Sequence, residues 1–230
     1  MYLDNIIVLG DPMIDIWCLS PGTESRPGGA LNVFENLRFF TRDASSIFPE
    51  QAYLTINHPN RKQRSSKTFY KPLNRDVSAS TIICSDYNKG FLTNSNATLR
   101  ADLIIVDSKY CSLKRSLLNN CKIKILKHTQ TDFLNTEFAS LFDYIVLTDN
   151  ENKVRCFLNG KLLKVFSVPK INDIETTVGA GDVFVATLAF YLHKLFDSQD
   201  LALLFTAIEN AIYWSSESIR SEYTSNLNYI

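Results

Sequence analysis

Short runs of apolar residues alternate along the chain with stretches whose apolar positions recur every three or four residues. This pattern predicts strands separated by helices. Residues 5–10, Asn-Ile-Ile-Val-Leu-Gly, read as a buried first strand that ends in glycine. Further strands are expected at 45–48, 53–56, 67–71, 77–84, 102–107, 122–126 and 144–147. Ala30, Val33, Phe34, Leu37 and Phe40 keep helical spacing, so a helix starts close to Gly28-Gly29. Short helices are expected near 113–119 and 131–141, while 16–27 reads as short and turn-rich. Residues 154–158 and 161–166 flank Asn159-Gly160, a two-residue hairpin signal. Two helices close the chain. The first begins at Gly179-Ala180-Gly181-Asp182 and carries Phe184, Thr187, Leu188, Tyr191 and Leu195 on one face. The second, over about 199–216, places Leu203, Thr206, Ala207, Asn210 and Trp214 at helical spacing. The tail from about Arg220 is polar and expected to fray.

Strands alternating with helices argue for an α/β fold, with a mostly parallel sheet covered on both faces and an antiparallel edge from the hairpin. A chain of 230 residues, 45% hydrophobic and 12% aromatic, holds one such domain with a small appendage and is not of a disordered composition. Zero net charge gives no bulk attraction to nucleic acid or to an anionic membrane. No apolar run approaches the roughly 20 residues of a membrane span. The first residues carry Asp4 and no basic segment, so no signal peptide is expected. Cys18, Cys84, Cys111, Cys121 and Cys156 form no CxxC pair and fit reduced thiols in a cytoplasmic protein. The histidines lack zinc-ligand spacing.

The candidate chemistry centres on Gly179-Ala180-Gly181-Asp182. Glycines at a helix start let backbone N–H groups approach an anion closely. A carboxylate beside them is a poor anion binder but a good proton acceptor. Together they suit a base that deprotonates a hydroxyl while the turn stabilises a transferring phosphoryl group. Asp11 and Asp15 follow the first strand, where open α/β sheets bind ligands; a turn acid or helix cap is the other reading of Asp11. Gly28-Gly29 is either a plain turn or a second place where backbone admits a ligand, with Asn32 in the following helical turn. Arg61, Lys62, Arg64, Lys67, Lys71 and Arg75 form either a solvated basic loop or a region that receives an anionic small molecule.

Four stretches in order along the chain carry a resemblance to a known family. Gly10-Asp11-x-Met13-x-Asp15 is similar to its opening GDxMxD, and Arg26-Pro27-Gly28-Gly29-Ala30-x-Asn32-Val33 to its RPGGAANV. Ser85-Asp86-Tyr87-x-Lys89-Gly90, followed by Asp107-x-Lys109, is similar to SDYxKG and DPKG. Thr177-Val178-Gly179-Ala180-Gly181-Asp182 is similar to its C-terminal signature. Over roughly residues 6–215 the chain thus resembles the ribokinase-like (PfkB-type) carbohydrate kinases, and most nearly the heptose-7-phosphate kinase domain of bacterial ADP-heptose synthases.

The resemblance implies a Rossmann-type three-layer sandwich forming a single domain over 1–230, with a small β-sheet lid from about 16–25 and 50–84. It implies ATP-dependent, Mg2+-assisted phosphorylation of a hydroxyl on a sugar or sugar phosphate, in surface-polysaccharide precursor synthesis. By this resemblance Asp182 is the base, and Gly179, Ala180 and Gly181 form the anion hole. Asp15, Gly28, Gly29 and Asn32 hold the sugar, with Asp11 and Lys89 as further substrate-side candidates. Thr148, Asn150, Thr177 and Asn210 fall around the nucleotide, and Asp132 is the candidate metal ligand. A homodimer through the lid, using Trp17-Cys18 and Phe69-Tyr70, stands beside a reading in which these residues pack beneath it.

The nucleotide side departs from the family pattern. Thr176 replaces an Asp; Thr129-Gln130-Thr131-Asp132 stands for Asn-x-x-Glu; Asn150 and Lys153 replace glycines; Tyr213 and Trp214 replace small residues. The chain is also short for the family. Beside an active sugar kinase stands a member that binds sugar or nucleotide without turnover, as a regulatory or scaffold protein. A kinase for another alcohol, such as a nucleoside or fructose phosphate, is the third reading.

Overall fold

Side chains alternate faces along the first strand, β1 (Ile6–Gly10): Ile6 and Val8 enter one apolar layer, Ile7 and Leu9 the other. The computed structural model describes residues 5–19, 22–50, 53–58, 61–64, 70–111, 113–129, 136–149, 153–193, 200–220 and 227. After β1 come β2 (Pro12–Leu19), β3 (Gly22–Gly29), α1 (Ala30–Phe40), β4 (Ala44–Ile47), β5 (Tyr53–His58) and β6 (Arg61–Arg64). They are followed by β7 (Val77–Asp86), β8 (Leu99–Ser108), α2 (Arg115–Leu118), β9 (Asn120–Thr129), α3 (Thr136–Ala139) and β10 (Tyr144–Asp149). The chain closes with β11 (Lys153–Leu158), β12 (Lys161–Ser167), α4 (Ala180–Leu192) and α5 (Leu201–Ser218).

Eight strands pair in the order β12-β11-β10-β9-β8-β7-β1-β4. Pairing is parallel from β4 to β10, and the β11–β12 hairpin adds the antiparallel edge. Asn159 and Gly160 both turn with positive φ, as the two-residue hairpin requires. One face of the sheet carries α1, α4 and α5 through Ile6, Val8, Ile83, Leu103, Ile105 and Ile125. The other packs Ile82, Ile104, Val106 and Leu126 against α2, α3 and the segment holding Tyr70, Leu73, Phe91 and Leu92. Helix α4 lies between α1 and α5 and is buried nearly all round, which explains its lack of a polar stripe. The expected three-layer α/β architecture is therefore present.

Four strands make a second, smaller sheet in the order β3-β2-β5-β6. It springs from the end of β1 and returns through β3 directly into α1. Several expectations change here. The stretch 16–27, read as turn-rich, is the β2–β3 hairpin, because Asp15 pairs with Arg26 and Trp17 with Glu24 in one antiparallel register. Residues 77–84 belong not to the small sheet but to β7, whose parallel partners are β1 and β8. Part of the basic run forms β6. Of the expected strand at 67–71, Phe69 and its predecessors lie outside the described residues, and Tyr70 and Lys71 are not in a strand. Tyr70 packs in the core and donates to Pro12 O at 2.8 Å, which is the packed reading of that aromatic; the side chains of Trp17 and Cys18 lie outside the description. Helices α2 and α3 are single turns. Leu227, expected in a frayed tail, is buried.

Candidate active site

The turn before α4 positions the central acid. Gly179 caps the helix with φ 90°, a left-handed conformation that suits glycine, and no side chain caps the N-terminus. The turn is closed by Asp182 N and Val183 N donating to Gly179 O at 2.9 and 3.1 Å. The preceding Glu175 and Thr176 donate their N–H groups to Ile219 O, which ties the approach to the end of α5. Asp182 is thereby held with 6% exposure, and its Oδ2 accepts a 2.8 Å hydrogen bond from Asn32 Nδ2. Burial pushes its carboxyl up from 3.8 to about 7. The Asn32 hydrogen bond opposes that rise, Asp107 adds to it, and the Lys127 and Lys109 ammonium groups oppose it. The acid therefore changes charge near neutrality, where a general base works best.

Lys127 is the main residue missed in the sequence. The strand there was expected to end at 126; β9 continues, and Lys127 is 5% exposed. Its Nζ lies 3.2 Å from Asp107 Oδ1, and a Cβ added to Gly181 would meet that Nζ at 3.0 Å. The ammonium thus sits against the glycine turn. A buried lysine at the end of an apolar strand is the signal that could have found it. A cavity of about 650 Å3 opens at the same point. One end is Lys127, Thr177, Ala180 and Gly181; strands contribute Thr129, Thr148 and Val154. The far wall is Val168–Asn172 (residues 168–172) and Ile174 opposite Ile212, Ser215, Ser216 and Ile219 of α5. Its size and mixed lining suit a small organic ligand. An uncapped helix start and a lysine at one end suit an anionic group, while Val168, Ile171, Ile174, Ile212 and Ile219 give the cavity an apolar wall.

On the opposite side, Asp11 is wholly buried. Its Oδ2 accepts from Tyr87 N at 2.9 Å and Lys89 N at 3.1 Å, so it fixes the turn that follows β7 (residues 87–90) in place. Burial and the nearby Asp86 raise its carboxyl to about 6, against the pull of those two N–H bonds and the Lys89 charge. Lys109 Nζ lies 5.0 Å over the Tyr87 ring and is close enough to act on Asp182. Gly29 caps α1 with φ 57°, and a Cβ there would come within 2.7 Å of Asp11 O. Backbone packing alone therefore demands glycine at 29. Gly28 is buried in β3 beside it.

The remaining sequence candidates are scattered or outside view. Thr148 and Thr177 line the cavity. Asn210 does not: the stripe Ile212-Ser215-Ser216-Ile219 faces the cavity, and Asn210, two residues earlier, turns away and donates to Thr206 O at 2.9 Å. Asn32 stands beside Asp182 as a hydrogen-bond donor to it, a role not expected from sequence. The side chain of Asp15 lies outside the description, although its backbone sits in β2 opposite Arg26 and Thr55. Asn150 and Asp132 are outside the described residues. Among the described residues no three His, Cys, Asp or Glu side chains converge as a metal site. Among the described residues, the thiols of Cys84, Cys121 and Cys156 are in no disulfide. No helix among the described residues is long and apolar enough to cross a membrane.

No family model and no curated protein matches the sequence. Solved structures do match. Aminoimidazole riboside kinase from Salmonella enterica, complexed with aminoimidazole riboside and an ATP analog, is similar at TM-score 0.66 and 15% identity over 96% of this chain and 95% of that one. A Methanocaldococcus jannaschii nucleoside kinase, an archaeal member of the ribokinase family, is similar at TM-score 0.67 and 12% identity over 98% and 95%. Fructokinase from Xylella fastidiosa with bound ATP is similar at TM-score 0.63 and 12% identity over 96% and 94%. With this similarity over nearly the whole length of each chain, the chain has the ribokinase-like fold.

Proposed function

We propose that this chain is a kinase that transfers the γ-phosphoryl group of ATP to a hydroxyl of a small sugar-like alcohol. The observation that carries the reading is Asp182, a buried acid poised near neutrality at the turn where a nucleotide-sized cavity ends on Gly181 and Lys127. ATP would lie with its phosphates toward Ala180, Gly181 and Lys127, and its base between the 168–172 segment and Ile212 and Ile219. The acceptor would approach from the Asp11, Gly28-Gly29 and Lys89 side. Asp182 takes the hydroxyl proton as the oxygen attacks the γ-phosphorus. The bond to the β-phosphate oxygen breaks and ADP leaves. Positioning and charge stabilisation supply the rate, with Lys127 and the α4 N-terminus facing the transferring group. Mg2+ accompanies nucleotide phosphates and is held largely by them and by water; the described residues make no cage for it, and Asp132 remains the sequence candidate.

The finer reading is a phosphorylated sugar such as a heptose 7-phosphate, in surface-polysaccharide precursor synthesis. It is supported by the Ser85-Asp86-Tyr87-x-Lys89-Gly90 resemblance and by the Lys89 and Lys109 charges on the acceptor side. Thr129 in the cavity wall, where the family resemblance would place asparagine, supports a second reading: a protein that binds these ligands without turnover. The test is ADP release with Mg-ATP and a panel of hexose and heptose phosphates, fructose and nucleosides. Substrate-dependent release lost in Asp182→Asn is the expected result. No release across the panel, with wild type and variant alike, would overturn the kinase reading.

A further inference from the structure

Two buried asparagines tie Asp182 to the far end of the chain. Leu227 N–H donates to Asn36 Oδ1 at 2.7 Å. Asn36 Nδ2 donates to Asn32 O at 2.8 Å and to Asn32 Oδ1 at 3.1 Å. Asn32 Nδ2 then donates to Asp182 Oδ2 at 2.8 Å. Asn32, Asn36 and Leu227 are each at most 1% exposed, so water does not compete for these bonds. The spacing of four residues puts both amides on one face of α1.

A side-chain amide can turn over and exchange its donor with its acceptor. The groups at either end of Asn36 cannot. The Leu227 N–H is a backbone donor, and Asn32 O is a backbone acceptor. They oblige Asn36 to direct its oxygen to Leu227 and its NH2 to Asn32. Asn32 must then offer its oxygen to Asn36 and its NH2 to Asp182. An NH2 donor favours the carboxylate, the form a base requires; a turned-over amide would present oxygen and favour the acid. Asp107 from β8, Lys109 beyond it and Lys127 from β9 also act on Asp182. They contribute charge, whereas the ladder contributes a directed donor.

We propose that Asn36, held by the backbone of Leu227, is a positioning residue for Asp182: the two-amide ladder fixes which group Asn32 presents to the base, and so makes the Leu227 N–H a working part of the site. This rests on the kinase reading, and the experiment separates the two. Leu227→Pro deletes the backbone donor, and Leu227→Ala, compared with it, also loses the leucine side chain but keeps the N–H. Asn36→Leu, branched at Cγ like asparagine but with methyl groups in place of the amide, removes the middle of the ladder. Two readouts are taken: the pH profile of kcat, and the pH midpoint of the stability difference between each background and its Asp182→Asn partner. Relative to Leu227→Ala, both midpoints should rise by about one unit in Leu227→Pro and in Asn36→Leu. Below the midpoint kcat should fall about tenfold, with KM little changed. Unmoved midpoints in both variants overturn the ladder. A moved stability midpoint without turnover on any substrate keeps the ladder and sinks the kinase reading; turnover with unmoved midpoints does the reverse. The wild-type chain supplies a check independent of any variant's folding. The side-chain amide NMR signals of Asn32 and Asn36 should titrate with Asp182, and signals flat across that range overturn the proposal.

Discussion

Replacing Asp182 with asparagine should stabilise the protein while abolishing its activity, and the stabilisation should depend on pH. The folded state holds this carboxyl at about 7 against an ordinary value of 3.8. The difference of about three units, at about 1.4 kcal/mol per unit, makes the ionised form about 4 kcal/mol costlier to hold folded than unfolded. Because the folded value is raised, the folded state binds the proton more tightly. The acid's stabilising contribution is therefore complete below its unfolded value and is lost as pH rises through about 7. Asparagine carries no charge at any of these pH values and keeps an oxygen for Asn32 Nδ2. The variant's advantage should be small at about pH 4, grow as pH rises toward 7, and reach about 4 kcal/mol at about pH 8. Urea unfolding of both proteins across that range gives the difference directly. Turnover measured on the same samples should fall by about 10²–10⁴. A stability difference that is flat with pH, or a variant less stable than wild type at about pH 8, would refute the assignment of Asp182 as a buried base with a raised pKa.

Three further outcomes follow from the same geometry. Lys127→Met removes an ammonium that holds the Asp182 carboxyl down, so the acid limb of the kcat profile should move to higher pH. If Lys127 also faces the transferring phosphoryl group, kcat should drop by about 10²–10³, and an unchanged kcat would place that charge elsewhere. Gly29→Ala puts a methyl group 2.7 Å from Asp11 O at φ 57° and should cost about 2–4 kcal/mol by denaturant unfolding; a neutral result would mean the β3–α1 junction is not as tight as described. Ser215→Trp projects bulk into the cavity from α5 and should weaken ATP binding by about tenfold or more in calorimetry, while acceptor binding stays as it was; equal loss of both would put the nucleotide outside this cavity.

Local chemistry made much of this protein legible before any coordinates. β1, the β11–β12 hairpin and the start of α4 each depend on residues adjacent in the chain: an apolar run, Asn159-Gly160, and a glycine turn followed by an apolar period. The parallel sheet followed from the rhythm of strands and helices. Where turn signals competed with pairing, the sequence misled. Gly22 and Arg26-Pro27 read as turn positions, yet antiparallel pairing with β2 makes Gly22 the start of β3 and puts Arg26 and Pro27 within that edge strand; Pro21 lies outside the described residues. The apolar residues of β7 did not say which sheet they join; their buried positions between β1 and β8 decide it. The acid at the centre was visible because its glycine neighbours are next to it in sequence. What acts on it was not. Lys127 and Asp107 meet Asp182 because β8 and β9 end beneath the α4 turn. Asn32 reaches it across 150 residues, and Leu227 reaches Asn36 across 191. Spacing along a chain reports periodic contacts within one element. The charge state of Asp182 is set instead by burial and by three elements converging on one carboxylate, which only the packing of α1, α4 and the sheet brings about.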